Sequence, residues 1–261
     1  MLACRVRGTI AKLLPTTSAR RTSIGNGDSG MAQFHFVEDY EKLIVHLIAT
    51  YPLDEAMARA VGGGPYDIFG QMEADILDAA GLTDGMVVVD LGCGSGRLAS
   101  ALHKSRAVSY IGIDIVQPLL DYAQTRAPNY RFLLHRELSI PLADSSADIV
   151  SAFSLFTHLL QAETYVYLEE SARILKPGGR IVFSFLEFSE PTHWAIFELT
   201  RKAARDANGD HLNMFLERIT IELWAEKLGL IAEQFFPSST TWQGHALGQS
   251  VVVLAKRAAA T

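Results

Sequence analysis

The sequence is poor in cysteine, in long apolar runs and in the spacings that hold metals. Cys4 and Cys93 are its two cysteines among 261 residues. Two thiols, one of them inside a glycine-rich loop, exclude a disulfide scaffold and a cysteine-rich zinc site and fit a reducing compartment. No run of about 18 apolar residues occurs, so no membrane-spanning helix is expected. The strongest stretch, residues 43–49, is short and is interrupted by His46. The histidines are scattered, with no HxxxH or paired-carboxylate spacing, so no metal is expected. GCGSG (92–96) lacks the GxSxG spacing of a hydrolase elbow, so no serine nucleophile is expected.

What is present is ordinary for a water-soluble enzyme: 49% apolar and 20% charged residues, with a net charge of −6. The charge is uneven. Residues 1–30 hold Arg5, Arg7, Lys12, Arg20 and Arg21 against Asp28 alone, so the remainder carries −10. An acidic body speaks against a broad polyphosphate-binding face, and nucleic acid is not an expected partner. The basic, acid-poor start has the composition of an organelle transit peptide, of an unstructured tail, or of sequence upstream of a true start at Met31. Leaving targeting aside, the expected location is cytoplasmic. We expect an extension over 1–33 outside the fold.

Helical periodicity begins near Tyr40, where Leu43, Ile44, Leu47 and Ile48 share one face. A second helix over 53–61 breaks at Gly62–Gly63–Gly64–Pro65, and 34–65 reads as a helical cap. A third helix, 67–80, carries Ile68, Met72, Ile76 and Leu77. The pattern then alternates: strands at 86–91, 108–113, 130–135, 148–154 and 180–186, with helices at 97–104, 117–126 and 162–175 between them. Continuous apolar strands such as VVV (87–89) indicate a parallel sheet covered on both faces, an α/β doubly wound architecture. Beyond it come helices at 192–207 and 220–228, a polar loop at 208–213, and two strands, 230–236 and 249–255, joined by the loop 237–248.

The chemistry concentrates at VVVDLGCGSGRLA (87–99). A buried strand runs into Asp90, then Gly92, Gly94 and Gly96, then a helix. Glycine lets the backbone bend sharply and leaves no Cβ between main chain and ligand, and the helix that follows presents free N–H groups to an anion. The second strand ends at Asp114, beside that bend at the switch point of a doubly wound sheet, where a carboxylate can accept from both hydroxyls of a ribose. Loop and acid together point to an adenosine-containing ligand. The third glycine comes one residue early for the dinucleotide pattern, and no second mononucleotide-binding half follows strand five.

Four stretches in order, VVVDLGCGSGRLA (87–99), YIGIDIV (110–116), IPLADSSADIVSAFSLFTHL (140–159) and LEESARILKPGGRIVFSFLEF (168–188), resemble the class I S-adenosylmethionine-dependent methyltransferases of the small-molecule branch. The resemblance runs from about Tyr66 to the C-terminus. It implies a Rossmann-like sheet of seven strands, order 3-2-1-4-5-7-6 with the last antiparallel, and a methyltransferase domain over 66–257 with acceptor-pocket insertions at 188–229 and 237–249. It implies S-adenosyl-L-methionine as cofactor: Asp90, Gly92, Cys93, Gly94 and Gly96 at its methionine part, Asp114 with Ile115 at the ribose, Glu137 and Leu138 at the adenine, and Phe153 and Ser154 beneath the methionine. The family often has an Asp or a Gly-Asp pair where this chain has His135–Arg136–Glu137–Leu138, and a solvated loop acid is the competing reading of Glu137. The D/N-P-P-Y/F motif of amino-type DNA methyltransferases is missing after strand four.

In-line transfer of a methyl group demands alignment and exclusion of water. A hydroxyl or ammonium acceptor also needs a base. His158, after strand four, is the first candidate; Glu187, His193 and His245 follow. Phe156, Trp194 and Trp242 are candidate aromatic walls, competing with plain core roles. AVGGGPYDIFG (60–70) reads either as a helix break or as a hinged cap closed by Tyr66 or Phe69. The expected function is methyl transfer to a small-molecule acceptor. Transfer to a protein or nucleic acid, an oxidoreductase, and a non-catalytic binding protein are the competing readings.

Overall fold

A computed structural model describes residues 37–206 and 213–258. The extension at 1–33 and most of the 208–213 loop lie outside the described residues. The elements run α1 (Val37–Thr50), α2 (Leu53–Ala60), α3 (Tyr66–Ala79), β1 (Val87–Leu91), α4 (Arg97–Ser105), β2 (Ser109–Asp114), α5 (Gln117–Arg126), β3 (Arg131–Leu134) and β4 (Ala147–Ala152). They continue with α6 (Gln161–Ile174), β5 (Leu175–Phe185), α7 (Pro191–Asp206), α8 (Arg218–Lys227), β6 (Leu230–Phe236), β7 (Thr241–Trp242), β8 (His245–Ala246) and β9 (Ser250–Lys256).

Seven strands form one sheet in the order β3-β2-β1-β4-β5-β9-β6. Strands β1 to β5 run parallel to one another, and β9 runs antiparallel between β5 and β6. This is the expected order, with β9 as the seventh strand of the sheet. β1 pairs on both sides and is covered on both faces, which is why it reads as an unbroken valine run. One face packs Val89, Ile181 and Phe183 against Leu168 of α6 and Ile221 of α8. The other packs Val88, Ile149 and Val182 against Ile76 of α3 and Leu98 and Leu102 of α4.

The cap has its own small core: Ile44, Met57 and Ala60 meet Val116, Leu119 and Tyr122 at the start of α5. Ile44 and Met57 are wholly buried, each contributing about 1.5–3 kcal/mol to holding α1 and α2 in place. Tyr40 donates to the Ala60 carbonyl at 2.8 Å, and Arg136 pairs with Glu41, tying α1 to the segment after β3.

Two local readings are corrected. β5 starts at Leu175, not at Arg180, because residues 176–179 form a bulged strand start: Leu175 pairs with Ala147, and the register then shifts. Gly179 must be glycine there, since a Cβ would meet the Asp148 carbonyl at 2.8 Å. The expected loop 237–248 contains the hairpin β7–β8. Its two turn residues, Gln243 and Gly244, have φ of 51° and 84°, the positive values that tight hairpin turns demand.

Candidate active site

The bend after β1 sits at the carboxyl edge of the sheet. Gly92, Gly94 and Gly96 all have left-handed φ, at 66°, 54° and 82°. The N–H groups of Gly92 and Cys93 both donate to the Ile113 carbonyl, at 2.8 and 3.1 Å, which locks the bend against the end of β2. Gly96 is the residue before α4; a Cβ on it would lie 2.6 Å from Ala123 of α5, so this glycine serves helix packing.

Asp114 closes the same crevice from β2. It is 7% exposed and accepts three backbone hydrogen bonds: Gly94 at 2.9 Å on one oxygen, Ile115 and Val116 at 2.8 and 3.0 Å on the other. Burial pushes its carboxyl up, partly offset by those three donors. No cation is paired with it among the described residues. A carboxylate has about four acceptor positions, so hydrogen-bond capacity remains.

Asp90 has a different part from the expected one. One oxygen accepts from Ser151 of β4 at 2.8 Å and the other from Tyr110 of β2. Both oxygens thus brace β1 against its two neighbouring strands. Burial raises its carboxyl to about 7, against lowering by the two hydroxyl donors. The unfolded chain then ionises Asp90 from about pH 4, while the folded chain holds the proton until about pH 7. Its contribution to stability is therefore full below pH 4 and is lost as the pH rises through 7, a change of roughly 4 kcal/mol. Asp90→Asn is expected to flatten this part of the profile. Denaturant melts from pH 4 to 8 test it, and a mutant profile parallel to wild type defeats the reading.

The cap roofs the bend. Ser95 donates to the Met57 carbonyl at 3.0 Å, and Tyr66 donates to the Ser95 carbonyl at 2.6 Å. A Cβ on Gly94 would lie 2.5 Å from a methyl of Val61, so Val61 fills the notch that the glycine leaves. Arg97, the first residue of α4, joins the parts: it pairs with buried Glu73 of α3 at 2.6 Å and donates to the Val61 carbonyl at 2.9 Å. Of the two cap residues expected to close the site, Tyr66 touches the bend, whereas Phe69 sits against Gly64 and under Arg97. The turn Gly62–Gly63–Gly64 is left-handed throughout.

After β4, Ser154 is a non-glycine residue at φ 56°. A ring of hydrogen bonds holds it there. Its N–H donates to Ser184 at 2.7 Å, Ser184 donates to Gln249 at 2.6 Å, and Gln249 donates back to the Ser154 hydroxyl at 3.1 Å. Leu155 lies against Gly92. Phe153 and Phe156 are core residues on opposite faces. Glu137 is half-buried, and Leu138 packs on the core beneath β3 and β4.

His158 lies on this turn, exposed, its N–H on the Leu155 carbonyl at 3.0 Å. Glu187 and His193, expected as proton acceptors, are both engaged by partners within the fold. Glu187 is buried, with Arg218 at 2.8 Å on each oxygen and Ser250 and Ser189 beside it. Burial raises its carboxyl, but these donors outweigh burial and hold it low. His193 is buried and accepts the Glu187 N–H at 3.0 Å, so its other nitrogen carries the proton and faces the Gly248 carbonyl at 3.2 Å. Neither ring nitrogen is left for a substrate. His245 lines a shallow groove with Asp67, Ile68, Gln71, Met72 and Gln243, which shares no residue with the glycine bend or the β4 turn. Trp242 packs at the rim of the core against Phe236. Arg97, Gln249 and Arg218 were not expected at the site; each acts through a partner 24 to 95 residues away, which no local pattern reveals.

A doubly wound sheet with a glycine bend and an acid at the switch point defines an adenosine-binding class of protein. Residues 89–183 match the methyltransferase domain family. The chain is 29% identical over 193 residues to the biotin biosynthesis bifunctional protein of Cellvibrio japonicus, covering 73% of this chain and 35% of that one. It is 30% identical over 135 residues to the malonyl-[acyl-carrier protein] O-methyltransferase of Serratia marcescens, covering 50% and 51%. It shares its fold with magnesium protoporphyrin IX methyltransferase from Synechocystis, solved with bound S-adenosylhomocysteine: TM-score 0.56, 16% identity, 73% and 83% of the two chains. The chain thus spans between about a third and a half of these two curated relatives. Residues 89–183 thus carry a methyltransferase domain, and the chain has the fold of the class I S-adenosylmethionine-dependent methyltransferases, whose cofactor is S-adenosylmethionine. Asp114, buried beside the glycine bend and with no cation paired to it among the described residues, fits that cofactor, and Val61 lies in the notch that Gly94 leaves. Among the described residues no helix is long and apolar enough to cross a membrane.

Proposed function

We propose that the chain transfers a methyl group to a small-molecule acceptor. The observation that carries this is Asp114: a buried carboxylate without a cation, bonded to Gly94 across the crevice between β1 and β2. S-adenosylmethionine supplies a methyl group on a sulfonium, open to in-line attack. The chain's part is alignment and dryness. Asp114 accepts from hydroxyl groups, and the first turn of α4 offers backbone N–H groups to a carboxylate. Met57, Val61 and Tyr66 exclude water above the bend, and Arg97 holds that roof to the loop it covers. The ring formed by Ser154, Ser184 and Gln249 fixes the β4 turn that carries His158. The relatives' names, one in biotin biosynthesis and one an O-methyltransferase of malonyl-[acyl-carrier protein], support an acceptor drawn from metabolism.

Calorimetry with S-adenosylhomocysteine and with NAD tests the reading. Binding of the first and none of the second is expected; the reverse rejects it. A metabolite screen read out by S-adenosylhomocysteine release then gives the acceptor. On that acceptor, His158→Ala is expected to lower turnover by about 100-fold with unchanged cofactor affinity, the size of a lost general base. Wild-type turnover removes His158 from the mechanism.

A further inference from the structure

We propose that the aromatic cluster beyond β5 is the wall that receives the acceptor, and that the acceptor presents it with an aromatic ring carrying no anionic group. This rests on the methyltransferase reading and deepens it. Phe188 directly follows Glu187. Its ring stacks on Phe215 at 4.6 Å and 12°, and meets Phe197 edge-on at 5.1 Å. Trp194 joins through Phe197 at 5.1 Å. After all these contacts Phe188 is still 44% exposed and Trp194 50%. Two large rings left half in water, side by side, form the kind of exposed apolar surface that marks a binding site.

The cluster is pinned from below. The Phe188 N–H donates to Glu217 at 2.6 Å, and the Ser189 hydroxyl lies 3.0 Å from both Glu187 and Glu217. Glu187 is itself clamped by Arg218 and Ser250. On either side of Phe215, Met214 donates to the Thr157 carbonyl at 2.8 Å and Leu216 to the Leu186 carbonyl at 2.7 Å. The wall is therefore fastened to the β4 turn, the same turn whose Leu155 packs on the glycine bend. Cofactor loop and aromatic wall flank one turn, with His158 on it.

Charge selects among ring-bearing ligands. Arg201 is paired with Glu198, and Arg218, paired with Glu187, also feels Glu190 and Glu217, so among the described residues next to Phe188 three carboxylates share one guanidinium, with Lys202 and Arg205 further along α7. Phosphate, sulfonate or carboxylate on the acceptor meets repulsion there. Aromatic faces in an offset and edge-to-face array, by contrast, extend naturally by one more ring.

The test is calorimetry on the full chain, with and without S-adenosylhomocysteine, using 2-naphthol and its anionic counterpart naphthalene-2-sulfonate. 2-Naphthol is expected to bind at least about tenfold more tightly than the sulfonate, and Phe188→Ala and Trp194→Ala each to weaken it about tenfold, the scale of a lost ring contact. Both variants should keep S-adenosylhomocysteine affinity, and binding is read well below the melting transition, because loss of the Phe188 stack on Phe215 also lowers stability. Equal or tighter sulfonate binding, no naphthol binding, or naphthol binding untouched in both variants overturns the proposal. So does a dimer in sedimentation that Trp194→Ala abolishes without any naphthol binding, which would make the wall a seat for a second copy. Failure of S-adenosylhomocysteine to bind while naphthol does would instead strike the methyltransferase reading.

Discussion

Asp114→Asn is expected to weaken S-adenosylhomocysteine binding by at least about 100-fold, because hydrogen bonds to a charged acceptor are worth about 1.5–3 kcal/mol each. The native carboxylate accepts on both oxygens, from Gly94 on one side and from Ile115 and Val116 on the other. An amide has a single accepting oxygen. Whichever way it turns, its NH2 faces a backbone N–H of the bend or of the turn before α5. The variant should therefore also lose about 1–3 kcal/mol of stability, the cost of a buried donor without a partner. The two effects separate by temperature. Calorimetry well below the melting transition reads affinity on folded protein, and a melt reads the structural loss. A folded Asp114→Asn chain binding within about threefold of wild type would mean that the acid only ties the backbone together. The crevice between β1 and β2 would then not be an adenosine site.

The frame of this site was legible in the sequence for a simple reason. A doubly covered strand has to be apolar throughout, so Val87–Val88–Val89 announced β1, and a bend without side chains has to be glycine, so Gly92, Gly94 and Gly96 announced the loop. The position of Asp114 followed from the length of β2. What the sequence could not show is which way a polar side chain turns. Asp90 pairs with Gly112, two residues before Asp114 on the neighbouring strand, and reads as a second ligand-binding acid, yet its neighbours Tyr110 and Ser151 draw it into the sheet. Glu187 reads as an acid–base candidate because it ends the fifth strand, and His193 because it lies in a segment expected to form the acceptor pocket. Their partners, Arg218, Ser250 and Gly248, lie 31 to 63 residues further on, across α7, α8 and β6, and those partners use up the lone pairs and protons that catalysis needs. The hairpin β7–β8 was readable in principle. Gln243–Gly244 between Trp242 and His245 is a two-residue turn, but strands of two residues carry no periodicity to frame it.

Gly94→Ala carries the second large expectation, and it separates the two duties of that glycine. At φ 54° an alanine costs about 1–2 kcal/mol in backbone strain. Its Cβ would also lie 2.5 Å from the Val61 methyl, and such overpacking costs about 1–3 kcal/mol more. A lower melting temperature by roughly 5–15 °C follows for a domain of this size. Val61→Ala in the same chain removes the methyl that clashes, so the double variant should recover the packing share and keep the strain, a favourable coupling of about 1–3 kcal/mol. Ligand binding should not recover with it. The added Cβ still stands between the main chain and anything that replaces Val61 in the notch, and it still disturbs the Gly94 N–H on which Asp114 depends. Recovery of stability together with full S-adenosylhomocysteine affinity would show that Gly94 is there for Val61 alone. Recovery of stability without affinity would show that the cap residue and the cofactor use the same notch in turn, so that Val61 holds the place its ligand must take.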